Sequence, residues 1–227
     1  MTGRSAAPEL YDAVIGFGDA SAHSARLEPK VAALVALAVR ASACTLSAEG
    51  IDHWVAVAMA AGATAAEVAD VLASIAPLGN HAVGASLPVL LEVAAEAGQQ
   101  IGEPELTAQA KQIKDEFVAM RGYWTDGRER LARYLPGFFA SYMELSAAPW
   151  KHGVLEGKVR ELMMVAIDAS VAHMYTDGVR LHARMAMQNG ATLDELIGAL
   201  EIAATLGVDG FVHGMRTASA IDREGDT

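Results

Sequence analysis

The sequence predicts an all-α protein, and three features carry that prediction. Long Ala- and Leu-rich apolar stretches favour helix. Glycines and Thr-x-x-Glu strings punctuate those stretches where helix ends are expected. Sustained alternation of apolar and polar residues, the mark of a strand, does not occur. The segments Val31 to Ala43 and Val159 to Ala172 are apolar on most sides, as a buried helix requires. Gly62 and Gly190 stand at C-terminal cap positions. Thr64-Ala65-Ala66-Glu67 and Thr192-Leu193-Asp194-Glu195 each fit a capping box, which opens a helix running to Leu78 or Leu206.

These landmarks occur twice, 128 residues apart. Leu27-Glu28-Pro29-Lys30-Val31 meets Leu155-Glu156-Gly157-Lys158-Val159, Ala41-Ser42 meets Ala169-Ser170, and Gly50 meets Gly178. About 19 of about 53 aligned positions match without a gap, as expected of a duplicated unit. The chain therefore divides into an N-terminal helical extension (1–26), a first repeat (27–98), a connector (99–154) and a second repeat (155–227). Pro104, Pro136 and Pro149 punctuate the connector. Its Phe138, Phe139, Tyr142 and Trp150 are expected to form an aromatic face, packed on the second repeat or lining part of a pocket.

Composition limits the function. The 227 residues are 52% hydrophobic and carry a formal net charge of -11. Such an acidic chain offers no basic footprint for nucleic acid or an anionic membrane. The single cysteine, Cys44, excludes an intramolecular disulfide and a CxxC pair; it is expected to be a small buried apolar residue. The segment Met1 to Glu9 lacks a signal pattern, and stretches such as Val31 to Val39 are too short for a bilayer, so a cytoplasmic location is expected. Gly16-Phe17-Gly18 lacks the third glycine and preceding strand of a dinucleotide site.

The two repeats differ in their chemistry. Ala33 stands opposite Glu161, Thr45 opposite His173, Ser47 opposite Tyr175 and Trp54 opposite His182. One polar and one apolar copy imply one site per chain, supported by a structural copy.

The string Leu155, Lys158, Glu161, Leu162, then His182, then Gly190, Ala191, Thr192 and Glu195 resembles the carboxymuconolactone decarboxylase family, which shares its helical fold with the alkyl hydroperoxidase D proteins. Asp168-Ala169-Ser170-Val171-Ala172-His173-Met174-Tyr175, Gly178 and His182 resemble its two-copy members, as do Phe138 to Tyr142 and Ala148 to Gly153. The resemblance implies a bundle of two repeats related by a pseudo-twofold. It also implies a homotrimer, since similar single-repeat proteins form hexamers of paired subunits. In the peroxidase branch a CxxC pair works with a Glu and a His. Glu161 and His182 match the latter two, but His173 to Gly178 holds no cysteine and is two residues longer. A thiol peroxidase cycle is therefore excluded.

The catalytic candidates are His182, Glu161, His173 and Tyr175. His182 can act as general acid or base near neutrality, and Glu161 can orient it. Glu161 is also readable as an exposed helix-start carboxylate, and His173, ending the buried helix, as a partner of the helix dipole. Tyr175 can donate a hydrogen bond or simply pack. Asp209 and His213, four residues apart, share a helix face and are substrate-binding candidates, with His81, which stands opposite Asp209, and Trp150. His23, His53 and His152 are expected at the surface or in packing. His173 and His182 are nine apart and form no i, i+4 ligand pair, so neither a metal nor another cofactor is expected.

The leading expectation is a cofactor-independent lyase or isomerase acting on a small carboxylated compound. Decarboxylation is the reaction class that the resemblance implies. The alternatives are a ligand-binding or scaffold protein that keeps the fold without the chemistry, and a metal-assisted enzyme using the same histidines.

Overall fold

The computed structural model describes residues 7–22 and 26–225. Twelve α-helices follow one another and no strand occurs among the described residues. Met1 to Ala6 and His23 lie outside them. The described residues form two compact units: those up to Ile75 together with those from Val154 onward, and Ala76–Gly153.

The first unit holds the second copy and residues 27–75 of the first; residues 76–98 of the first copy belong to the second unit. Helices α2 (Pro29–Ala41), α3 (Ala48–Ala60) and α4 (Ala65–Ile75) come from one copy. Helices α9 (Gly157–Ala169), α10 (Thr176–Gln188) and α11 (Leu193–Ala204) come from the other, with α1 (Pro8–Ala22) and α12 (Leu206–Gly225) at the two ends of the chain. α2 and α9 pack on each other at the centre. Val35, Leu37 and Val39 of one, and Leu162, Val165 and Ile167 of the other, are buried. Each such side chain contributes roughly 1.5–3 kcal/mol by leaving water.

The copies share local geometry down to single hydrogen bonds. Lys30 pairs with Glu67 and Lys158 with Glu195, both at 2.8 Å. Gly62 and Gly190 take left-handed φ values of 92° and 88°, which glycine adopts without steric cost. Glu67 returns a bond to the Thr64 backbone, as Glu195 does to Thr192. Ser42 Oγ donates to the Val39 carbonyl and Ser170 Oγ to that of Ile167, and the backbone then turns extended. α2 and α9 therefore end at Ala41 and Ala169 rather than at Ala43 and Ala172. His173 lies in the following turn instead of ending the helix. In both copies this turn contains a non-glycine residue at positive φ, Leu46 at 43° and Met174 at 50°.

One buried ion pair joins the copies. Arg160 donates to both oxygens of Asp70 and to Ser74, while Asp70 Oδ2 also accepts the Val154 and Leu155 backbone N–H groups at 2.6 and 2.8 Å. Burial pushes the Asp70 carboxyl up, but Arg160 and the two N–H groups outweigh it and hold it below its usual range.

The second unit contains α5 (Asn80–Glu96), α6 (Ala108–Arg121), α7 (Asp126–Tyr134) and α8 (Pro136–His152). Its core joins Phe117, Leu131, Phe139 and Met143. The expected single aromatic face does not form: Phe139 is enclosed here, Phe138 stacks on Tyr142 at the surface, and the Arg121 guanidinium lies 3.4 Å from the Trp150 ring centroid. Two helical stretches other than Val31 to Val39, residues 65–96 and 193–221, meet a length and composition criterion for crossing a bilayer. The first is interrupted by the 3-10 turn Ala76–Gly79, and Thr205 separates α11 from α12 in the second.

Removing one partner of a buried ion pair strands the other charge. Asp70→Ala is expected to cost about 3–5 kcal/mol, read by urea denaturation. The native pair's contribution is present at neutral pH and is lost as pH falls through the depressed Asp70 pKa.

Candidate functional site

α9 brings two carboxyls into the apolar interior, one near each end. Glu161 is fully buried and Asp168 is 2% exposed. Glu161 is therefore not an exposed helix-start carboxylate. Its Oε2 lies 2.7 Å from His182 Nδ1 on α10. A carboxylate can only accept, so Nδ1–H donates and the hydrogen bond fixes the ring orientation. The opposite ring nitrogen, Nε2, then faces Asp168 Oδ2 at 3.9 Å. That separation is too long for a hydrogen bond, and Asp168 Oδ2 has no hydrogen-bond partner although it is buried.

His173 enters from the turn between α9 and α10. Its Nε2 lies 3.5 Å from Asp168 Oδ1, and its Nδ1 lies 3.5 Å from Cys44 Sγ, which comes from the matching turn of the first copy. Cys44 is exposed rather than a buried apolar filler. Partial desolvation by its neighbours and the Asp168 charge push its thiol up, which keeps it protonated at neutral pH. Burial lowers the His173 pKa, favouring the neutral imidazole. Tyr175 is half exposed, with its ring 5.7 Å from that of His173. Gly178, at the start of α10, is required by packing: a Cβ there would collide with Asp168 and with the Tyr175 ring.

Burial raises the Asp168 pKa to about 6; the His182 charge opposes the rise and the Glu161 charge adds to it. Its environment is thus one in which a carboxylic acid titrates near neutrality, a property shared by groups that move protons. The sequence reasoning did not include Asp168 among the candidates. A signal was available: Asp168 stands opposite Arg40, and both are charged residues on otherwise apolar helices.

Glu161, His182, His173 and Tyr175 thus belong to one neighbourhood. Asp209 and His213 have partners from the first copy. Asp209 pairs with the buried Arg40, whose guanidinium also lies over Trp54; His213, largely exposed, pairs with Glu49 at 2.8 Å. His81 on α5 and Trp150 on α8 belong to the second unit. His53 packs edge-on against Trp54 and His152 is exposed at the end of α8.

Fold and geometry define an internally duplicated all-α protein with one buried carboxyl–imidazole cluster. The model of the carboxymuconolactone decarboxylase family matches residues 8–92 and 136–220, and the chain belongs to that family. It is also similar to the crystal structure of a "putative gamma-carboxymuconolactone decarboxylase subunit" from Burkholderia xenovorans. The two are 36% identical with a TM-score of 0.88, over 98% of this chain and 89% of the other. No curated relative matches the chain.

The raised Asp168 pKa sets a stability prediction. The unfolded carboxyl titrates near 3.9, so between about pH 4 and pH 6 the folded state retains a proton that the unfolded chain has lost. Stability attributable to Asp168 therefore falls as pH rises through that window. Asp168→Asn is expected to gain about 1–3 kcal/mol at pH 7 and little at pH 4. Urea midpoints measured across the window will show whether the slope disappears.

Proposed function

We propose that the protein is a decarboxylase-like lyase acting in the cytoplasm on a small carboxylated compound, with His182 as the acid–base group and Glu161 as its positioning residue. The observation that carries this reading is the 2.7 Å Glu161–His182 bond, with a fully buried carboxyl. Family membership and the name of the B. xenovorans protein support the reaction class.

In the proposed reaction the bond from carbon to the substrate carboxylate breaks and carbon dioxide leaves. The electron pair passes into an enolate. His182 Nε2–H stabilises that charge or gives its proton to the carbon, and the imidazole then regains a proton from solvent. Glu161 keeps Nε2 aimed at the reacting carbon and stabilises the charged ring. His173 and Tyr175 assist at the exposed side.

The test is carbon dioxide release from carboxymuconolactone, related lactone acids and β-keto acids, in buffer containing EDTA. His182→Gln is expected to lower the rate by about 10²–10⁴-fold. Glu161→Gln is expected to lower it less and to move the alkaline limb of the pH profile, where the acid form of His182 is lost. No turnover across the panel, or equal turnover by His182→Gln, would replace this reading with that of a ligand-binding scaffold.

We also propose a homotrimer. The B. xenovorans protein is called a subunit, and α5 exposes Val89, Leu90 and Val93 with no residue buried. Light scattering is expected to give about three times the 23.7 kDa chain mass; Leu90→Asp is expected to shift it toward the monomer.

A further inference from the structure

The acid–base reading leaves Cys44 and Asp168 without a task. Cys44 comes from the turn after α2 and His173 from the matching turn after α9, so the duplication itself brings them together. Cys44 is exposed, and its Sγ lies 3.5 Å from His173 Nδ1, within hydrogen-bond reach of the larger sulfur atom. The other ring nitrogen, Nε2, stands 3.5 Å from Oδ1 of the buried Asp168. A carboxylate can only accept, so the ring is favoured with its proton on Nε2 and its lone pair on Nδ1, toward the thiol. Thiol, imidazole and orienting carboxylate thus follow one another in the order of an activated nucleophile, its base and the group that aims the base. Such contacts are commonly loose before a substrate binds and tighten afterwards. A second observation points to a ligand. Asp168 Oδ2 is buried, has no hydrogen-bond partner and stands 3.9 Å from His182 Nε2. Hydrogen bonding normally compensates such an atom, and a ligand carrying an N–H or O–H supplies the missing donor.

We propose that Cys44 is a nucleophile, with His173 as its general base and Asp168 as the positioning residue, and that it adds to the electron-poor double bond of an α,β-unsaturated carbonyl compound. In the step, His173 Nδ1 takes the thiol proton while Sγ forms a bond to the β-carbon. The π electrons of the double bond move onto the carbonyl as an enolate. The imidazolium then returns the same proton to the α-carbon, so no oxidant, reductant or leaving group is involved. Acyl transfer is the less suitable reaction, because it also needs a leaving group and donors arranged around a tetrahedral oxyanion. Conjugate addition needs only a nucleophile and one group that takes and returns a proton, and the cluster supplies both. Burial favours the neutral form of His173, which is the form able to act as base. The thiol stays protonated until the base removes its proton. Cys44 is the single cysteine, so no resolving thiol of this chain competes for it. The inference goes beyond the lyase reading and uses neither His182 Nε2 nor Glu161 Oε2, the atoms that carry the proton and orient the ring there.

The test uses the full chain, in which every thiol adduct is an adduct of Cys44. The probes are N-ethylmaleimide and methyl acrylate at neutral pH, with intact mass followed against time and glutathione as the reference thiol. One adduct per chain is expected, formed faster than on glutathione. His173→Ala is expected to lower the rate by about 10²–10⁴-fold, and added free imidazole to restore part of it. Asp168→Asn is expected to lower the rate and to move the His173 ring toward the Nδ1–H tautomer, read by two-bond proton–nitrogen correlation spectra. Circular dichroism checks that each variant is folded. The proposal is overturned if the wild type reacts no faster than glutathione, or if folded His173→Ala reacts at the wild-type rate. A loss in His173→Ala that imidazole does not repair overturns the base role, and an unchanged tautomer in Asp168→Asn overturns the positioning role. None of these readouts involves carbon dioxide release, so failure here is distinguishable from failure of the lyase reading.

Discussion

The arrangement of the first unit depends on how α9 disposes of its buried charges. Arg160, Glu161 and Asp168 all lie on a helix whose other buried positions are apolar, and none can be left uncompensated at low cost. Arg160 faces Asp70 of the first copy, and that pair fixes how α4 meets the start of the second copy. Glu161 faces His182, which fixes α10 against α9. Asp168 is different, because its Oδ2 has no donor and its pKa is raised. Two of the three charges hold the helices together, and the third remains available for chemistry.

The first copy shows what the same backbone does with other side chains. Arg40 occupies the place of Asp168, and Trp54 that of His182. The guanidinium reaches Asp209 and Thr205 and stacks on Trp54, so the charge is compensated from within the unit. The turn that follows has the same backbone bonds as its counterpart and a positive φ at the aligned position, Leu46 for Met174. At this one position the first copy is thus not apolar: one buried charge has been replaced by its opposite.

This explains which parts of the structure were legible in the sequence. The duplication, the helix caps and the Glu161–His182 pairing all left local or periodic marks: a fixed offset, a glycine, a Thr-x-x-Glu string, a family pattern. Comparing the copies for lost acids and bases found Glu161 and His182, because their counterparts Ala33 and Trp54 cannot titrate. The same comparison passed over Asp168, because its counterpart is also charged and the position looked like a tolerated polar site. Helix ends were placed two or three residues late, since Ser42 and Ser170 are compatible with a helix until their hydroxyls bond back to it. Asp209 and His213 were read as a pair from their spacing alone; their actual partners, Arg40 and Glu49, are more than a hundred residues away in sequence and carry no local mark.

Gly50 and Gly178 show that the constraint at this position is steric and not tied to either chemistry. A Cβ at residue 50 would lie 2.7 Å from Arg40 Cγ and 2.8 Å from Asp209 Oδ2, and one at residue 178 would strike Asp168 itself. Neither glycine has a left-handed φ, so backbone freedom does not account for them. In each copy the first turn of the following helix lies directly against the charged side chain in the last turn of the buried helix, Arg40 or Asp168. The close approach keeps that side chain away from bulk water, and burial of this kind raises the Asp168 pKa. The aligned glycines therefore mark a contact that both copies need in order to bury a charge, and only the second copy places an imidazole beside the buried charge.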